Sequence, residues 1–181
     1  MKSIIYLTYD GLTDNLGQSQ ILPYIKGINN SNQYKFFIIS FEKDKSTTLL
    51  KQIKSDLNKI KIEWIALKYS KKPAVLSTLY DLFKLYFLLK KIIKKNRIDL
   101  LHCRSYLTAI IAQKIMHTFN IPFIFDMRGF YADERVDGKI WDIKKPHYRI
   151  IFKYFKRKER ELIRESLYTI CLTNNGKKRT Y

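Results

Sequence analysis

The order of apolar segments in this 181-residue chain predicts one α/β domain, a doubly wound and mostly parallel sheet. Two observations carry the prediction. Short β-branched runs recur along the chain and are continuous rather than alternating, which is the pattern of strands covered on both faces. Between them lie segments of helical period, so strand, helix, strand repeats five times with room for right-handed crossovers.

The first run, Ser3–Thr8, is followed by the stretch YDGLTDNLGQSQ, residues 9–20, which is too long for a minimal connection and rich in small polar residues. A helix over Gln18–Asn29 then puts Ile21, Leu22, Ile25 and Ile28 on one face. A strand is expected at Tyr34–Ser40, and a helix over Ser46–Lys59 with Leu49, Leu50, Ile53 and Leu57 facing inward. Strands at Lys61–Ala66, Ile98–Cys103, Pro122–Asp126 and Leu167–Leu172 complete the sheet, with helices over residues 74–95, 105–118 and about 146–166. The longest apolar stretch, Ala74–Leu89, is interrupted by Asp81 and Lys84 and falls short of the ~18 residues of a spanning helix, so it reads as a buried or interfacial helix.

With 46% hydrophobic and 28% charged residues, the composition is that of a folded domain. The 35 basic against 16 acidic residues give a net charge of +19, a field that favours anionic partners such as nucleic acid, acidic head groups or phosphorylated small molecules. Lys is frequent throughout, including on faces that would merely be solvated, so the charge alone selects none of them. Aromatic and basic residues do not interleave in a nucleic-acid-binding signature, and no nucleic acid is expected. The stretch YRIIFKYFKRKERELIR, residues 148–164, is basic and amphipathic, which suits an anionic membrane surface.

Cys103 and Cys171 each end a predicted strand and read as small core residues in a reducing compartment. No export signal is visible in MKSIIYLTYDG, so the expected location is cytoplasmic, with peripheral association at the inner face of the membrane.

In a doubly wound sheet, ligands bind beyond the carboxyl ends of the strands. Three segments lie there. Gly11 and Gly17 could bring backbone amides to an anion at the start of the first helix, or could serve an ordinary flexible connection. In DLLHCRSYLTA, His102 and Arg104 emerge on the same side of their strand; imidazole can exchange a proton and guanidinium can hold a phosphate or carboxylate, while a lone His in a strand can also be a satisfied core residue. In IFDMRGFYADERVDG, Asp126, Arg128, Asp133, Glu134, Arg135 and Asp137 crowd together, with Phe130 and Tyr131 as stacking surfaces; Asp126 with Arg128 or Arg135 could equally be a structural ion pair. The chain has no dinucleotide fingerprint, P-loop, CxxC pair, HExxH or GxSxG elbow. No Asp-x-Asp stands ready for a divalent cation, so neither a metal site nor a resident cofactor is expected.

In this order, YLTYDGLTDNLGQSQILPYI, DLLHCRSYLTA, FIFDMRGFYADERVDG and LYTICLTNNGKK resemble the N-terminal half of bacterial family 4 glycosyltransferases. These have the GT-B architecture, two Rossmann-like domains facing across a cleft. The resemblance implies that residues 1–181 are the acceptor-binding domain, with the nucleotide-sugar domain outside this chain. It further implies that Gly11, Asp14, Gly17 and Gln18 flank the donor phosphates and that His102, Arg104, Asp126 and Arg128 line the acceptor side. The implied reaction is hexosyl transfer from a nucleotide-sugar donor to a sugar or lipid-linked hydroxyl acceptor, in cell-surface polysaccharide or glycolipid synthesis. The half alone is expected to be inactive. One departure is that family members often carry His where this chain has Arg104, its own His102 lying one pleat earlier. The alternative reading is a non-catalytic basic module that binds a membrane surface or nucleic acid.

Overall fold

The computed structural model describes residues 2–29, 34–43, 47–174 and 176. Six strands, β1 (Lys2–Thr8), β2 (Tyr34–Glu42), β3 (Glu63–Lys68), β4 (Leu100–Arg104), β5 (Phe123–Met127) and β6 (Tyr168–Cys171), form one sheet in the order β3-β2-β1-β4-β5-β6. Every pairing is parallel. The helices are α1 (Leu22–Asn29), α2 (Thr47–Lys59), α3 (Ala74–Lys95), α4 (Ser105–Phe119), α5 (Tyr131–Asp137) and α6 (Pro146–Glu165).

Continuous apolar strands are explained by two cores, one on each face. Ile5, Leu7, Phe37, Ile39, Leu101, Phe123 and Phe125 pack with α3, α4 and α6. Ile4, Tyr6, Phe36 and Ile38 pack with α1 and α2 through Leu22, Ile25, Ile53 and Leu57. Each fully buried aliphatic or aromatic side chain contributes about 1.5–3 kcal/mol to folding.

The chain runs outward from β1 to β3, returns to place β4 beside β1, and then runs outward the other way. The crevice at the carboxyl ends of β1 and β4 is therefore the topological switch point.

Element edges depart from the sequence expectation where local geometry intervenes. Lys61 adopts a left-handed conformation (φ 59°) and the Ile62 amide closes back on Leu57, so α2 terminates there and β3 starts at Glu63, two residues late. The first helix begins with a π-wound turn at Gly17–Ile21 before α1. The short helix α5, inside the polar cluster after β5, was not foreseen from periodicity. The expected helix start at Ser46, and Asn175, Lys177 and Lys178 of the last resembling segment, lie outside the described residues.

Candidate functional site

On the face of the sheet under α1, apolar residues give way to polar ones toward the carboxyl edge. Along β4 the sequence on this face is Leu100, His102, Arg104; along β5 it is Ile124, Asp126; along β1 it is Tyr6, Thr8. Register aligns them, with His102 beside Tyr6, and Arg104 between Thr8 and Asp126. All three site residues His102, Arg104 and Asp126 are at most 6% exposed.

Strand β4 passes into α4 with no linker. Ser105, the first residue of α4, takes a left-handed φ of 69°, and the Thr108 hydroxyl donates to the Arg104 carbonyl at 2.6 Å. A non-glycine residue in that region is strained, and the surrounding contacts must hold it. The turn fixes the direction in which the Arg104 side chain leaves the strand.

Arg104 Nη2 donates to Gln20 Oε1 at 2.8 Å, its Nε lies 3.4 Å from Asp10 Oδ2, and its Nη1 lies 4.0 Å from Asp126 Oδ2. Arg128 donates to the same Gln20 oxygen at 2.9 Å and its Nη1 lies 3.5 Å from Asp126 Oδ1. His102 Nε2 is 3.9 Å from Asp126 Oδ2, too far for a hydrogen bond, and is the one buried side-chain nitrogen or oxygen without a partner among the described residues. Such a buried group is costly to leave unmet. The Tyr6 and Tyr24 rings pack around the imidazole at 4.8 and 5.7 Å. Burial, then the nearby Asp126 carboxylate, pushes both phenols up, so they stay protonated donors.

The four residues read as the acceptor side are thus brought together. Asp10 and Gln20, which complete the cluster, were missed because the sequence reading placed them in a loop and on the polar face of a helix. The only signal was position: Gln20 stands four residues before Tyr24, one helical turn away.

Residues 11–18 form a compact frame beside this cluster. The Glu42 carboxylate at the end of β2 accepts from the Leu12 amide at 2.8 Å, the Thr13 amide at 3.0 Å and the Thr13 hydroxyl at 2.6 Å. Trp64 donates to Ser40, and Ser40 donates to Glu42. Asp14 accepts from the Gly11 amide at 3.3 Å and pairs with Lys43 at 2.6 Å, and Gln18 donates to the Leu12 carbonyl at 2.6 Å. Gly17 is required by close approach, since a Cβ there would sit 2.2 Å from the Gly11 carbonyl oxygen. The Leu12 and Thr13 amides are therefore met by the chain's own Glu42, and the Gly11 amide by Asp14.

The remaining polar cluster divides. Arg128 also lines a cavity of about 310 Å³ whose wall includes Gly129, Phe130, Asp133, Glu134 and Asp137. Asp133 is paired with Lys156 of α6 at 2.8 Å. Tyr131, expected as a stacking surface for a ligand, packs instead on Phe155 at 4.8 Å, Tyr106 at 5.6 Å and Trp141 at 5.8 Å, under the Arg135 guanidinium at 4.9 Å. It belongs to the joint between α5 and α6.

Cys103 is fully buried and burial raises its thiol well above the ordinary value, while Cys171 is half-buried; the two form no disulfide. On α6, several cations are already matched: Lys156 with Asp133 and Glu159, Arg157 and Lys158 with Glu161, and Arg164 with Glu165. No helix among the described residues is long and apolar enough to cross a membrane.

No protein-family model matches the chain, and no curated protein matches it. Solved structures do. A sucrose-phosphate synthase from Thermosynechococcus elongatus superposes with a TM-score of 0.63 at 9% identity, over 93% of this chain and 42% of that one. A putative UDP-N-acetylglucosamine 2-epimerase from Listeria monocytogenes gives 0.62 at 10% identity, over 99% of this chain and 42% of the other. Arabidopsis thaliana UGT89C1, solved with UDP, gives 0.57 at 10% identity, over 98% and 46%. The chain spans less than half the length of each. At such identities the likeness shows the fold, a Rossmann-like domain matching one half of a GT-B architecture.

Proposed function

We propose that this chain is the N-terminal, acceptor-binding half of a glycosyltransferase of the bacterial family 4 type. The observation that carries the reading is the convergence of Asp10, Gln20, Arg104, Asp126 and Arg128 around the unpartnered His102 nitrogen, at the switch point of a fold shared with UDP-sugar enzymes.

In the proposed reaction, an acceptor hydroxyl oxygen attacks the anomeric carbon of a nucleotide-sugar, and the bond from that carbon to the diphosphate breaks. His102 Nε2 receives the hydroxyl proton, and the Asp126 carboxylate, 3.9 Å from that same nitrogen, stabilises the imidazolium that forms; Arg104 and Arg128 hold the acceptor through its hydroxyl, phosphate or carboxylate groups. Positioning and electrostatics supply the rate, with no resident cofactor or metal, and the nucleotide-sugar is a substrate. The frame of Gly11, Asp14, Gly17 and Gln18, locked by Glu42, flanks the donor diphosphate. The groups that neutralise that leaving group belong to a second Rossmann-like domain, so 1–181 alone turns over negligibly. A lipid-linked acceptor at the cytoplasmic face of the membrane, in the synthesis of a surface polysaccharide or glycolipid, fits the basic charge.

The test is amide chemical-shift mapping of the 181-residue chain with a panel of glycosides and polyprenyl-phosphate sugars. Shifts concentrated at residues 10, 20, 24, 104, 126 and 128 support the assignment. Shifts confined elsewhere, or robust sugar transfer by the isolated chain, would overturn it.

A further inference from the structure

Among the described residues, the outer face of α3 has no partner. Leu76, Leu79, Tyr80, Phe83 and Phe87 lie at i, i+3, i+4, i+7 and i+11, one stripe of a helix. They are 65, 58, 58, 61 and 48% exposed. The inward face, Leu82, Leu85, Leu89 and Ile92, already packs into the core. At a rise of about 1.5 Å per residue the stripe is roughly 16 Å long, and soluble monomers rarely leave so large a contiguous apolar surface bare.

The charges around the stripe say what covers it. Continuing along the same helical face, Lys90, Lys91 and Lys94 follow Phe87, and the exposed Lys71 and Lys72 precede Leu76. The only carboxylate on α3, Asp81, is fully buried and turned inward onto Ser70, Tyr9 and Lys84. Lys84 lies over the Tyr80 ring at 4.8 Å and Lys90 over Phe87 at 5.8 Å, so their ammonium groups rim the aromatic surface.

We propose that the outer face of α3 is a docking surface for an anionic bilayer. Its rings sit at the acyl boundary and its lysines at both ends meet the lipid phosphates, an arrangement of an interfacial helix lying in the membrane plane. This moves the membrane contact away from α6, several of whose cations are matched internally. The proposal stands apart from the transferase reading, because vesicle binding needs neither donor nor acceptor.

The experiment is co-sedimentation of the 181-residue chain with phosphatidylglycerol-rich vesicles and with pure phosphatidylcholine vesicles. Binding to the anionic vesicles and far weaker binding to the neutral ones is expected. Phe83→Ser with Phe87→Ser should lower the anionic binding about tenfold or more, and Lys90→Gln with Lys91→Gln and Lys94→Gln should lower it comparably. The Lys triple variant keeps the test valid should the Phe pair misfold, which a thermal melt reveals. Arg149→Gln with Lys153→Gln on α6 should change little. Three results overturn the proposal: no anionic binding by the native chain, equal binding by the α3 variants, or a concentration-dependent dimer that the Phe pair abolishes, which would assign the face to a second copy.

Discussion

Arg104, the last residue of β4, and Arg128, the first residue past β5, converge on a single acceptor, Oε1 of Gln20, at 2.8 and 2.9 Å. Two like charges are held on one neutral oxygen, with Asp126 between them as the compensating anion. Gln20 therefore sets the spread of the two guanidinium groups. Replacing it with Ala should cost only about 1 kcal/mol of stability, since it leaves both arginines with a carboxylate. In a complete enzyme the effect should be a raised KM for acceptor with little change in kcat, because a mis-spread fork weakens binding before chemistry. A loss of kcat at constant KM would place Gln20 elsewhere in the reaction.

Glu42 organises the opening loop more than any residue within it. Its two oxygens take two amides and two hydroxyls while 6% exposed. Glu42→Ala should lower unfolding free energy by roughly 2–4 kcal/mol, because each buried donor left unmet costs about 1–3 kcal/mol and the loop relaxes only in part. Urea denaturation checks this. A change below about 0.5 kcal/mol would mean that water replaces the carboxylate freely.

Two glycines of the same helical region should respond in opposite directions. A Cβ on Gly17 meets backbone, the Gly11 carbonyl at 2.2 Å and Leu12 Cα at 2.6 Å, whereas one on Gly27 meets nothing within 4 Å. Gly17→Ala should destabilise by about 1–3 kcal/mol as the loop is forced aside. Gly27→Ala, inside α1, should stabilise by about 0.5–1 kcal/mol through reduced chain entropy. Paired melting curves decide; the same sign for both would show that the helix start moves freely.

The fold was legible because the four central strands are continuous apolar runs covered on both faces, a signal that survives edge errors of a residue or two; the edge strands β3 and β6 are partly exposed yet keep enough of the same run to be recognised. Half of the candidate cluster was legible for a related reason: a polar or charged residue at the carboxyl end of such a run, as with His102, Arg104 and Asp126, stands out against the apolar pattern, although the pattern alone does not separate a ligand site from a satisfied core residue or a structural ion pair. Gln20, Asp10 and Glu42 carry no such anomaly. Glu42 ends the strand YKFFIISFE and reads as a solvated terminus, yet the sheet aims it at loop amides thirty residues earlier in the chain. Tyr131 was misjudged because an aromatic beside charges looks the same in sequence whether it awaits a ligand or packs on a helix that follows fifteen residues later.

Asp81 links α3 to the rest of the domain and predicts an acid response. Burial alone would raise its carboxyl, but Lys84 and the Ser70 amide and hydroxyl outweigh it and hold the group below the ordinary carboxylate value. A depressed carboxylate stabilises the fold above its unfolded value and loses that contribution as pH falls through the lower, folded one. The native protein should therefore shed this contribution only below about pH 4. Asp81→Asn should be less stable at neutral pH and show a flatter profile on acidification. Parallel curves for the two proteins down to low pH would mean that Asp81 titrates alike in both states.

Asp126 is where a structural ion pair and a reaction site make different demands. It is 5% exposed and lies within 3.5 to 4.0 Å of Arg128, His102 and Arg104. As a structural anion alone, its conversion to Asn should destabilise the domain while the folded fraction turns over normally, since both arginines keep Gln20. As the anion beside the proton-accepting His102 nitrogen, its loss should cut kcat/KM in a complete enzyme by about a hundredfold or more, even in samples shown by melting to be fully folded. Tyr131→Ala supplies the opposite signature, because its ring packs on Tyr106, Trp141 and Phe155: about 2–4 kcal/mol less stability with KM unchanged. Measured together, the two variants separate chemistry from packing. If Asp126→Asn behaves like Tyr131→Ala, the charged cluster is architecture and the acceptor must be sought in the cavity beyond Arg128.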